Sequence, residues 1–361
     1  MLVFLSHYPG DVLDVRDGMS QRIAAIDSIF KDVERTYLHI SFRGHKRQRA
    51  RTQGLVRVET LNFYLHHWSI VRYLRRARFV YVHSIHNATF IAPYLKFLRN
   101  RLIVDLHGIV PEETAFLGKP AWARVLRFAE EVAVNNSRLI VVVTQRMGEH
   151  LLKKYRGDVL PSEILLLPNV EWRETGAGAS RAKPTAHEGI RLIYAGTVGA
   201  WQNTDLMLRT LARVMAIRAD LRACVYVHPD SVASLEGEVR RLGLNGRVTS
   251  GSLPHEQVLR EYAKADAGFV LRDDILLNRV AMPTKLAEYM SYGVVPIVLS
   301  PDLGDFMRYE YRYLTIEDLY DTHKLNPTAL AEMRLANFRI MESIAAQADE
   351  ARRMLASMVR S

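Results

Sequence analysis

Short apolar runs and amphipathic segments alternate along the chain from its first residues. In the first half, runs rich in β-branched and aromatic residues predict strands at Leu2–Ser6, Thr36–Ser41, Leu55–Thr60, Phe79–His83, Leu102–Leu106, Leu139–Val143 and Ile164–Leu167. Apolar positions at helical spacing predict helices at about residues 19–30, 63–77, 88–98, 119–135 and 145–155. Strands that alternate with helices indicate a parallel sheet covered on both faces.

The alternation restarts in the second half, after a segment that lacks it. Residues 172–189 are rich in Gly, Ala, Thr and charge without an apolar period, which predicts an interdomain linker. Beyond it the pattern predicts strands at Ile190–Ala195, Ala223–Val227, Arg247–Ser250, Ala267–Leu271 and Val294–Leu299, and helices at 203–217, 231–242, 255–265, 284–292 and about 327–358.

These elements predict an α/β protein with two doubly wound, Rossmann-like domains that face a cleft. The N-terminal domain spans residues 1–171 and the C-terminal domain spans 190–326. A C-terminal helix over 327–361 closes the chain, and we expect it to pack back toward the N-terminal domain. In open parallel sheets ligands bind at the carboxyl ends of strands, so the strand-end loops are where function is sought.

Composition narrows the class of protein further. The chain has 361 residues, 48% of them hydrophobic, and a single cysteine, Cys224. Length and apolar content suit two folded domains rather than a disordered chain. One cysteine excludes an intramolecular disulfide framework and a zinc site built on several cysteines. The start MLVFLSHYPGD lacks the features of a signal peptide and no apolar run is long enough to span a bilayer, so we expect a soluble, cytoplasmic protein.

The net charge of +10 resides in the first half of the chain. Residues 43–101 hold 13 Lys and Arg side chains and one acidic residue, Glu59. Such a one-sided positive face attracts an extended anion, either nucleic acid or an anionic membrane surface. The aromatic-rich segment Asn62–Trp68 within it fits a membrane interface and fits the core face of a helix equally well.

Two segments at predicted strand ends of the first domain carry candidate site residues. Gly18 precedes the first helix, where a glycine lets the backbone approach a phosphate at the helix N-terminus, although a plain turn is the simpler explanation. His107 follows the strand Leu102–Leu106 and is placed to present its imidazole to a substrate hydroxyl. Glu112 and Glu113 are either first-turn carboxylates favoured by the helix dipole or ligands of substrate hydroxyls.

The second domain carries the denser motif. Gly196 and Thr197 follow its first strand, in a loop that suits either a phosphate cradle or a simple turn. Further on, Pro283 precedes a helix whose first turn holds Thr284 and Lys285, so N–H groups, a hydroxyl and an ammonium converge at one point. Glu288 lies one turn further along the same face, where a carboxylate can accept the two hydroxyls of a ribose.

These segments together resemble a known family. The runs PTKLAEYMSYGVVPIV (283–298), LIYAGTVGAWQN (192–203) and DLHGIVPEE (105–113) resemble bacterial nucleotide-sugar glycosyltransferases of the GT-B fold. Among these the chain looks most like the retaining glycosyltransferase family four, whose members build surface polysaccharides. The resemblance covers nearly the whole chain in architecture and in the order of motifs, and it is densest in the last domain.

The resemblance implies roles for residues in both domains. In the donor nucleotide site, Glu288 matches the family's ribose ligand, whereas the family's other glutamate falls on Val280. The family's Arg and Lys in the first strand-end loop fall on Thr197 and Gln202, which leaves Arg272, Arg279 and Lys285 to supply the missing charge. The implied catalytic residues are His107, Arg272 and Lys285; the donor nucleotide-binding residues are Gly18, Gly196, Thr197, Ser252, Pro283, Thr284 and Glu288; and the acceptor residues are Glu112, Glu113 and Arg22.

The implied activity is transfer of a sugar, with retention, from a nucleotide-diphosphate sugar to a glycan or lipid-linked glycan in bacterial surface polysaccharide synthesis. Neither metal nor cofactor is implied, and the motifs leave the donor base open, so that UDP, GDP, dTDP and other nucleotide sugars are all compatible with them. An anionic membrane surface is the expected partner of the 43–101 stretch, at the inner face of the cytoplasmic membrane. A nucleotide-sugar 2-epimerase of the same fold is the alternative enzyme, and a nucleic-acid-binding protein is the alternative that leaves the PTKLAEY loop without a role.

Overall fold

The computed structural model of the chain describes residues 1–11, 18–155, 163–169, 189–198 and 202–361. It divides into two units, each with its own hydrophobic core. The first comprises Met1–Asn169, Val280–Met282 and Gln347–Ser361; the second comprises Val170–Arg279 and Pro283–Ala346. The predicted linker, apart from Gly189, lies outside the described residues.

Eight strands form the sheet of the first unit in the described part of the chain. They are β1 (Leu2–Leu5), β2 (Arg35–Ser41), β3 (Arg49–Gln53), β4 (Val56–Asn62), β5 (Phe79–His83), β6 (Leu102–Leu106), β7 (Leu139–Val142) and β8 (Glu163–Leu166). Their order is β3-β4-β2-β1-β5-β6-β7-β8. All neighbours pair in parallel except β3 and β4, which are antiparallel. The central strands are buried on both faces, as parallel strands between helices are.

The helices of the first unit follow its strands in alternation. They are α1 (Gly18–Ile29), α2 (His67–Arg76), α3 (Ser84–Ala88), α4 (Val110–Phe116), α5 (Pro120–Asn136) and α6 (Gln145–Lys154), with 3₁₀ helices at Pro9–Asp11 and Ala92–Leu98. Thr144 caps α6, because its hydroxyl accepts a hydrogen bond from the Met147 N–H. Ala348, Ala351 and Leu355 of the C-terminal segment join the core of this unit.

The second unit repeats the architecture with a six-stranded parallel sheet in the described residues. Its strands are β9 (Ile190–Ala195), β10 (Leu221–Tyr226), β11 (Val248–Gly251), β12 (Ala267–Val270), β13 (Val295–Val298) and β14 (Leu314–Thr315), in the order β11-β10-β9-β12-β13-β14. Its helices are α7 (Thr204–Ile217), α8 (Val232–Arg241), α9 (His255–Tyr262), α10 (Leu276–Val280), α11 (Thr284–Ser291) and α12 (Pro327–Arg360), with 3₁₀ helices at Pro229–Ser231, Phe306–Tyr309 and Glu317–Tyr320. The last residues of α10 and α12 belong to the first unit.

The strand order places a topological switch point in each sheet. In the second sheet it falls between β9 and β12, and in the first between β1 and β5. At a switch point the connections on either side run to opposite faces, which opens a crevice at the carboxyl ends of the two strands. The loops that follow β9 and β12 therefore border one such crevice.

The predicted α/β class with two parallel sheets is confirmed, and the predicted strands agree with the observed ones to within about two residues. The sequence pattern missed β3, β14, α3 and α10, and the helix predicted at about residues 88–98 is a 3₁₀ helix over Ala92–Leu98. In the described residues, no helix combines the length and the apolar character needed to cross a lipid bilayer.

Candidate functional site

Two strand-end loops are joined at the carboxyl edge of the second sheet. β9 and β12 are neighbours, and the chain leaves them through Gly196 and Arg272 respectively. The Asn203 side-chain amide donates to the Leu271 carbonyl at 3.0 Å and to the Asp273 carboxylate at 3.1 Å. Asn203 adopts a φ of 49°, a left-handed conformation that asparagine tolerates better than most residues. This contact fixes the end of the β9 loop against the β12 loop.

Lys285, in the first turn of α11, directs its ammonium group into these loops. Its Nζ lies 3.8 Å from the centroid of the Tyr194 ring and 3.3 Å from Gln202 Oε1. A Cβ atom at position 196 would lie 2.7 Å from this Nζ, so Gly196 leaves the space that the ammonium occupies. Burial and then the positive charge of Arg272 lower the pKa of Lys285 to about 7.

The structure distinguishes the three cations that the sequence offered for a diphosphate. Arg279 is exposed and forms a bidentate pair with Asp274, at 2.6 and 2.7 Å. Arg272 instead donates to Asn278 Oδ1 at 3.4 Å, and burial lowers its pKa. Among the described residues, neither Arg272 nor Lys285 forms an ion pair with a carboxylate. Two neighbouring, partly buried cations without a counter-anion create a site that an anionic ligand would stabilise.

The start of α11 adds hydrogen-bond donors to this site. Pro283 is buried and immediately precedes the helix, whose first turn contains Thr284 and Lys285. The first N–H groups of a helix lack partners within the helix, and the helix dipole favours negative charge beside them. The backbone donors and the two cations therefore favour the same kind of ligand, a phosphate or diphosphate.

Glu288 lies one turn beyond Thr284 on α11 and is 26% exposed. Its Oε1 is 3.8 Å from His255 Nε2. Burial, and then the charge of Glu288, raise the pKa of the Tyr262 hydroxyl. The carboxylate is thus held beside α9 rather than pointing freely into solvent. Of the other predicted donor residues, Thr197 is exposed and accepts the Tyr194 hydroxyl on its carbonyl at 2.7 Å, while Ser252 is half-buried after β11.

A buried charge cluster lies at the carboxyl end of β6 in the first unit. Arg22 forms a bidentate pair with the fully buried Asp105, at 3.1 and 2.9 Å, and also donates to the Leu167 carbonyl. His83 Nδ1 lies 3.3 Å and His107 Nε2 3.8 Å from Asp105 Oδ2. Burial opposes ionisation of Asp105, but Arg22 outweighs it, so the pKa of Asp105 lies below its usual value.

The two histidines of this cluster are neutral at physiological pH. Burial lowers the pKa of His107 to about 4, against the opposing charge of Asp105, and it also lowers the pKa of His83. The ligand atoms of His83, Asp105 and His107 lie within 4.8 Å of one another, as in a metal site. Because Arg22 already engages both oxygens of Asp105, a metal ion would have to displace a guanidinium, and the cluster does not suit one.

The glutamates of α4 have different surroundings. Glu112 pairs with Lys154 at 2.7 Å, and hydrogen bonds from His150 and Lys154 outweigh its burial and lower its pKa to about 2. Lys154 also pairs with the fully buried Glu130. Glu113 faces the loop at Gly108, and burial, with the Glu112 charge, raises its pKa. Glu112 is therefore tied into the packing of α4 against α5 and α6.

One sequence-based assignment is revised. Arg22 was expected to bind an acceptor, but it is 2% exposed and each of its guanidinium nitrogens already donates to Asp105 or Leu167. Its role is to pair a buried carboxylate. Gly18 is exposed as the first residue of α1, and residues 12–17 before it lie outside the described chain.

Sequence reasoning did not assign a site role to Tyr194 or His83, and it did not identify Gln202 as a partner of Lys285. Tyr194 and His83 occur within apolar strands, where a side chain at a strand end is indistinguishable from an ordinary core residue. Their placement at the carboxyl ends of β9 and β5 was the only available signal.

No protein-family model matches the chain, and no curated protein does so by sequence. Solved structures do match its fold over its full length. An E. coli structure described as trehalose-6-phosphate bound with UDP-2-fluoro glucose has a TM-score of 0.68 at 12% identity, covering 100% of this chain and 99% of that one.

Two further structures match as well. HepE from Anabaena in complex with UDP and glucose has a TM-score of 0.65 at 15% identity, with 99% of each chain covered. Sucrose-phosphate synthase from Thermosynechococcus elongatus has a TM-score of 0.67 at 14% identity, covering 99% of this chain and 98% of that one. At these identities the likeness is one of fold, and that fold is GT-B.

Proposed function

We propose that this protein is a glycosyltransferase that uses a nucleotide-diphosphate sugar. The observation that carries the proposal is the unpaired couple of Arg272 and Lys285 at the start of α11, beside the Glu288 carboxylate. A diphosphate supplies the negative counter-charge that the two cations lack. An attached ribose supplies hydroxyl groups that donate hydrogen bonds to a carboxylate. The fold match to structures described with UDP and UDP-2-fluoro glucose supports this ligand class.

In the proposed donor complex, each element of the second unit binds one part of the nucleotide. The diphosphate lies against the first turn of α11 and the guanidinium of Arg272. Glu288 accepts the ribose hydroxyls, and the loop that contains Ser252 borders the base. Gly196 and Thr197 form the edge of the phosphate site, since the side chain of Lys285 already fills the space beside Gly196.

The proposed reaction exchanges two bonds at the anomeric carbon of the donor sugar. The bond to the diphosphate oxygen breaks as the bond to the acceptor hydroxyl forms, and the leaving diphosphate accepts the hydroxyl proton. Arg272 and Lys285 stabilise the charge that grows on the leaving group, a kind of electrostatic stabilisation that is often the largest catalytic contribution. His107, neutral at physiological pH, hydrogen bonds the transferred sugar. The reaction proceeds with retention and requires neither metal nor cofactor.

We propose a lipid-linked glycan as the acceptor, in bacterial surface polysaccharide synthesis at the cytoplasmic face of the membrane. The positive stretch 43–101 supports this assignment, since each basic residue near an anionic bilayer contributes about 1 kcal/mol of attraction. Glu112 and Glu113 remain the proposed acceptor contacts.

A panel of nucleoside diphosphates tests the proposal. One of UDP, GDP and dTDP should raise the unfolding temperature, because a ligand at about 100 times its dissociation constant adds about 2.7 kcal/mol of stability. The matching nucleotide sugar should then release nucleoside diphosphate only when an acceptor glycan is added. Conversion of the donor to its 2-epimer without acceptor would instead identify an epimerase. Stabilisation by none of the panel would refute the use of a UDP, GDP or dTDP sugar.

A further inference from the structure

Three elements on one face of the first sheet expose large apolar side chains. α2 exposes Trp68 (82%), the 3₁₀ helix Ala92–Leu98 exposes Phe97 (80%), and α5 exposes Phe128 (63%). Such side chains are scattered singly on most soluble proteins, so a concentration in neighbouring elements requires an explanation.

The topology puts these elements into a single layer. α2 connects β4 to β5, the 3₁₀ helix connects β5 to β6, and α5 connects β6 to β7, and every connection advances across the sheet in the same direction. Right-handed crossovers that advance in the same direction lie on the same face of a sheet. The Tyr94 hydroxyl contacts the His67 ring at 2.9 Å, which joins the 3₁₀ helix to α2, and the 3₁₀ helix also packs against α5. We call this surface the helix layer.

α5 carries a continuous apolar stripe on its outer side. Trp122, Val125 and Phe128 are exposed at three-residue spacing, whereas Ala123, Leu126 and Ala129 between them are buried. Two residues shortly before the helix, Phe116 and Leu117, are also exposed. They lie at the end of α4, which holds Glu112 and Glu113.

The charge on the same stretch is entirely of one sign. From residue 43 to residue 130, the carboxylates Glu59, Asp105, Glu112, Glu113 and Glu130 are buried or half-buried, and every exposed charged side chain is Lys or Arg. Within the helix layer these exposed cations are Arg72, Arg75, Arg76, Lys96, Arg99, Arg124 and Arg127. The first exposed carboxylate beyond them is Glu131.

We infer that the helix layer docks on an anionic lipid bilayer, with the aromatic side chains of α2, the 3₁₀ helix and α5 inserted at its interface. Tryptophan and phenylalanine flanked by arginines suit the boundary between headgroups and acyl chains. A second copy of the chain fits poorly, because a two-fold interface would bring two positive surfaces together. Nucleic acid would not bury the exposed aliphatic side chains of Leu117 and Val125, because it is bound through basic, polar and aromatic groups. The inference extends the proposed membrane partner beyond residues 43–101 and does not depend on sugar transfer.

Vesicle binding by the full chain tests this inference. The wild type should cosediment with vesicles of phosphatidylglycerol and phosphatidylcholine and only weakly with phosphatidylcholine alone. The variant Trp122→Ser/Val125→Ser/Phe128→Ser should lower the partition coefficient at least about tenfold while its salt dependence stays unchanged, since it loses buried apolar area and no charge. Arg75→Glu/Arg76→Glu should weaken binding mainly at low salt. The matched control Ile217→Ser/Leu335→Ser removes exposed apolar side chains of the second unit and should bind like the wild type.

Two companion measurements separate the alternatives. Unchanged thermal unfolding and nucleoside diphosphate binding in the α5 variant would show that its fold and the donor site are intact, whatever the vesicle result. The inference is overturned if the folded α5 variant binds vesicles as the wild type does, or if the wild type binds neither kind of vesicle. It is also overturned if sedimentation shows a wild-type dimer that the α5 variant dissociates, or if the same variant loses duplex DNA binding instead.

Discussion

At the scale of single residues, the central feature is Lys285, whose pKa is lowered to about 7. The ammonium of Lys285 rests on the Tyr194 ring beside Gln202, and the charge of Arg272 opposes its protonation. Glu288 is the acidic group that partly offsets these effects. An anion that binds here stabilises the protonated lysine, so ligand binding and proton uptake are coupled at this residue.

The coupling predicts a pH dependence of nucleoside diphosphate affinity. With a pKa of about 7 in the free protein, Lys285 binds the diphosphate best when protonated, so affinity should fall as pH rises from 7 to 9, by up to about tenfold per unit. Calorimetry in buffers of different ionisation enthalpy should record proton uptake at pH 8. Lys285→Arg keeps the charge at every pH and should abolish this dependence. A wild-type affinity that is flat over the range would contradict the coupling.

The Arg22–Asp105 pair leads to a prediction about stability. Asp105→Asn leaves the buried Arg22 guanidinium without its counter-charge, so the free energy of unfolding of the first unit should fall by about 3–5 kcal/mol in denaturant titrations at neutral pH. Asp32→Asn is the matched control, because Asp32 pairs with Arg360 in the same unit but on the surface, and it should change stability little. Equal losses in the free energy of unfolding for the two substitutions would show that the buried pair stabilises the fold no more than the surface pair does.

The resemblance pointed to Arg272 and Lys285 rather than Arg279, but the sequence offered no physical ground for that choice. Only the packed structure shows that Asp274 neutralises Arg279 and not the other two cations. Arg22 was misassigned for the same reason: its partner Asp105 is 83 positions away along the chain. Contacts between residues far apart in sequence leave no local pattern to detect.

At the scale of elements, the sequence pattern was informative wherever a strand or helix has a buried face. β5, β6 and β9 begin and end where their apolar runs do. β3 escaped detection because all five of its residues are exposed, so it has no apolar alternation, and β14 is only two residues long. These edge strands form because the backbone of a neighbouring strand hydrogen bonds to them. Such tertiary pairing leaves no pattern in the strand's own sequence.

The packing of α11 on β12 positions Lys285, and it depends on one glycine. A Cβ atom at position 268 would lie 2.4 Å from the ring of the buried Tyr289, so Gly268→Ala should displace α11. We expect a loss of about 1–3 kcal/mol in stability and a weaker affinity for nucleoside diphosphate, although residue 268 does not touch the ligand site. Thermal unfolding measures the loss of stability, and calorimetry measures the affinity for nucleoside diphosphate.

Gly237→Ala provides the control for this substitution. Gly237 lies within α8, and a Cβ there would meet nothing within 4 Å, so alanine should be neutral or slightly stabilising. If Gly268→Ala behaved like Gly237→Ala in both measurements, the position of α11 would not depend on this contact.

At the scale of the whole molecule, two doubly wound units divide the proposed work. Basic and acidic residues balance in the second half of the sequence, which supplies the second unit. This unit contains Arg272 and Lys285, the two cations that we propose to bind the donor diphosphate. The first unit carries the excess positive charge, exposes the helix layer and holds the neutral His107 beside Asp105. The fold class was predictable from the sequence because it follows from periodicity, whereas the helix layer appeared only once three separate elements were placed on one face.

Titration of the full chain with the stabilising nucleoside diphosphate and with its parent nucleoside tests most directly whether Arg272 and Lys285 bind a diphosphate. Arg272→Met/Lys285→Met removes two charged hydrogen-bond donors, each expected to contribute about 1.5–3 kcal/mol. The double variant should therefore bind the diphosphate at least about 100-fold more weakly and the nucleoside unchanged, whereas Arg279→Met should bind both as the wild type does. Equal losses for diphosphate and nucleoside, or no loss for either, would contradict the assignment of these two cations to a diphosphate.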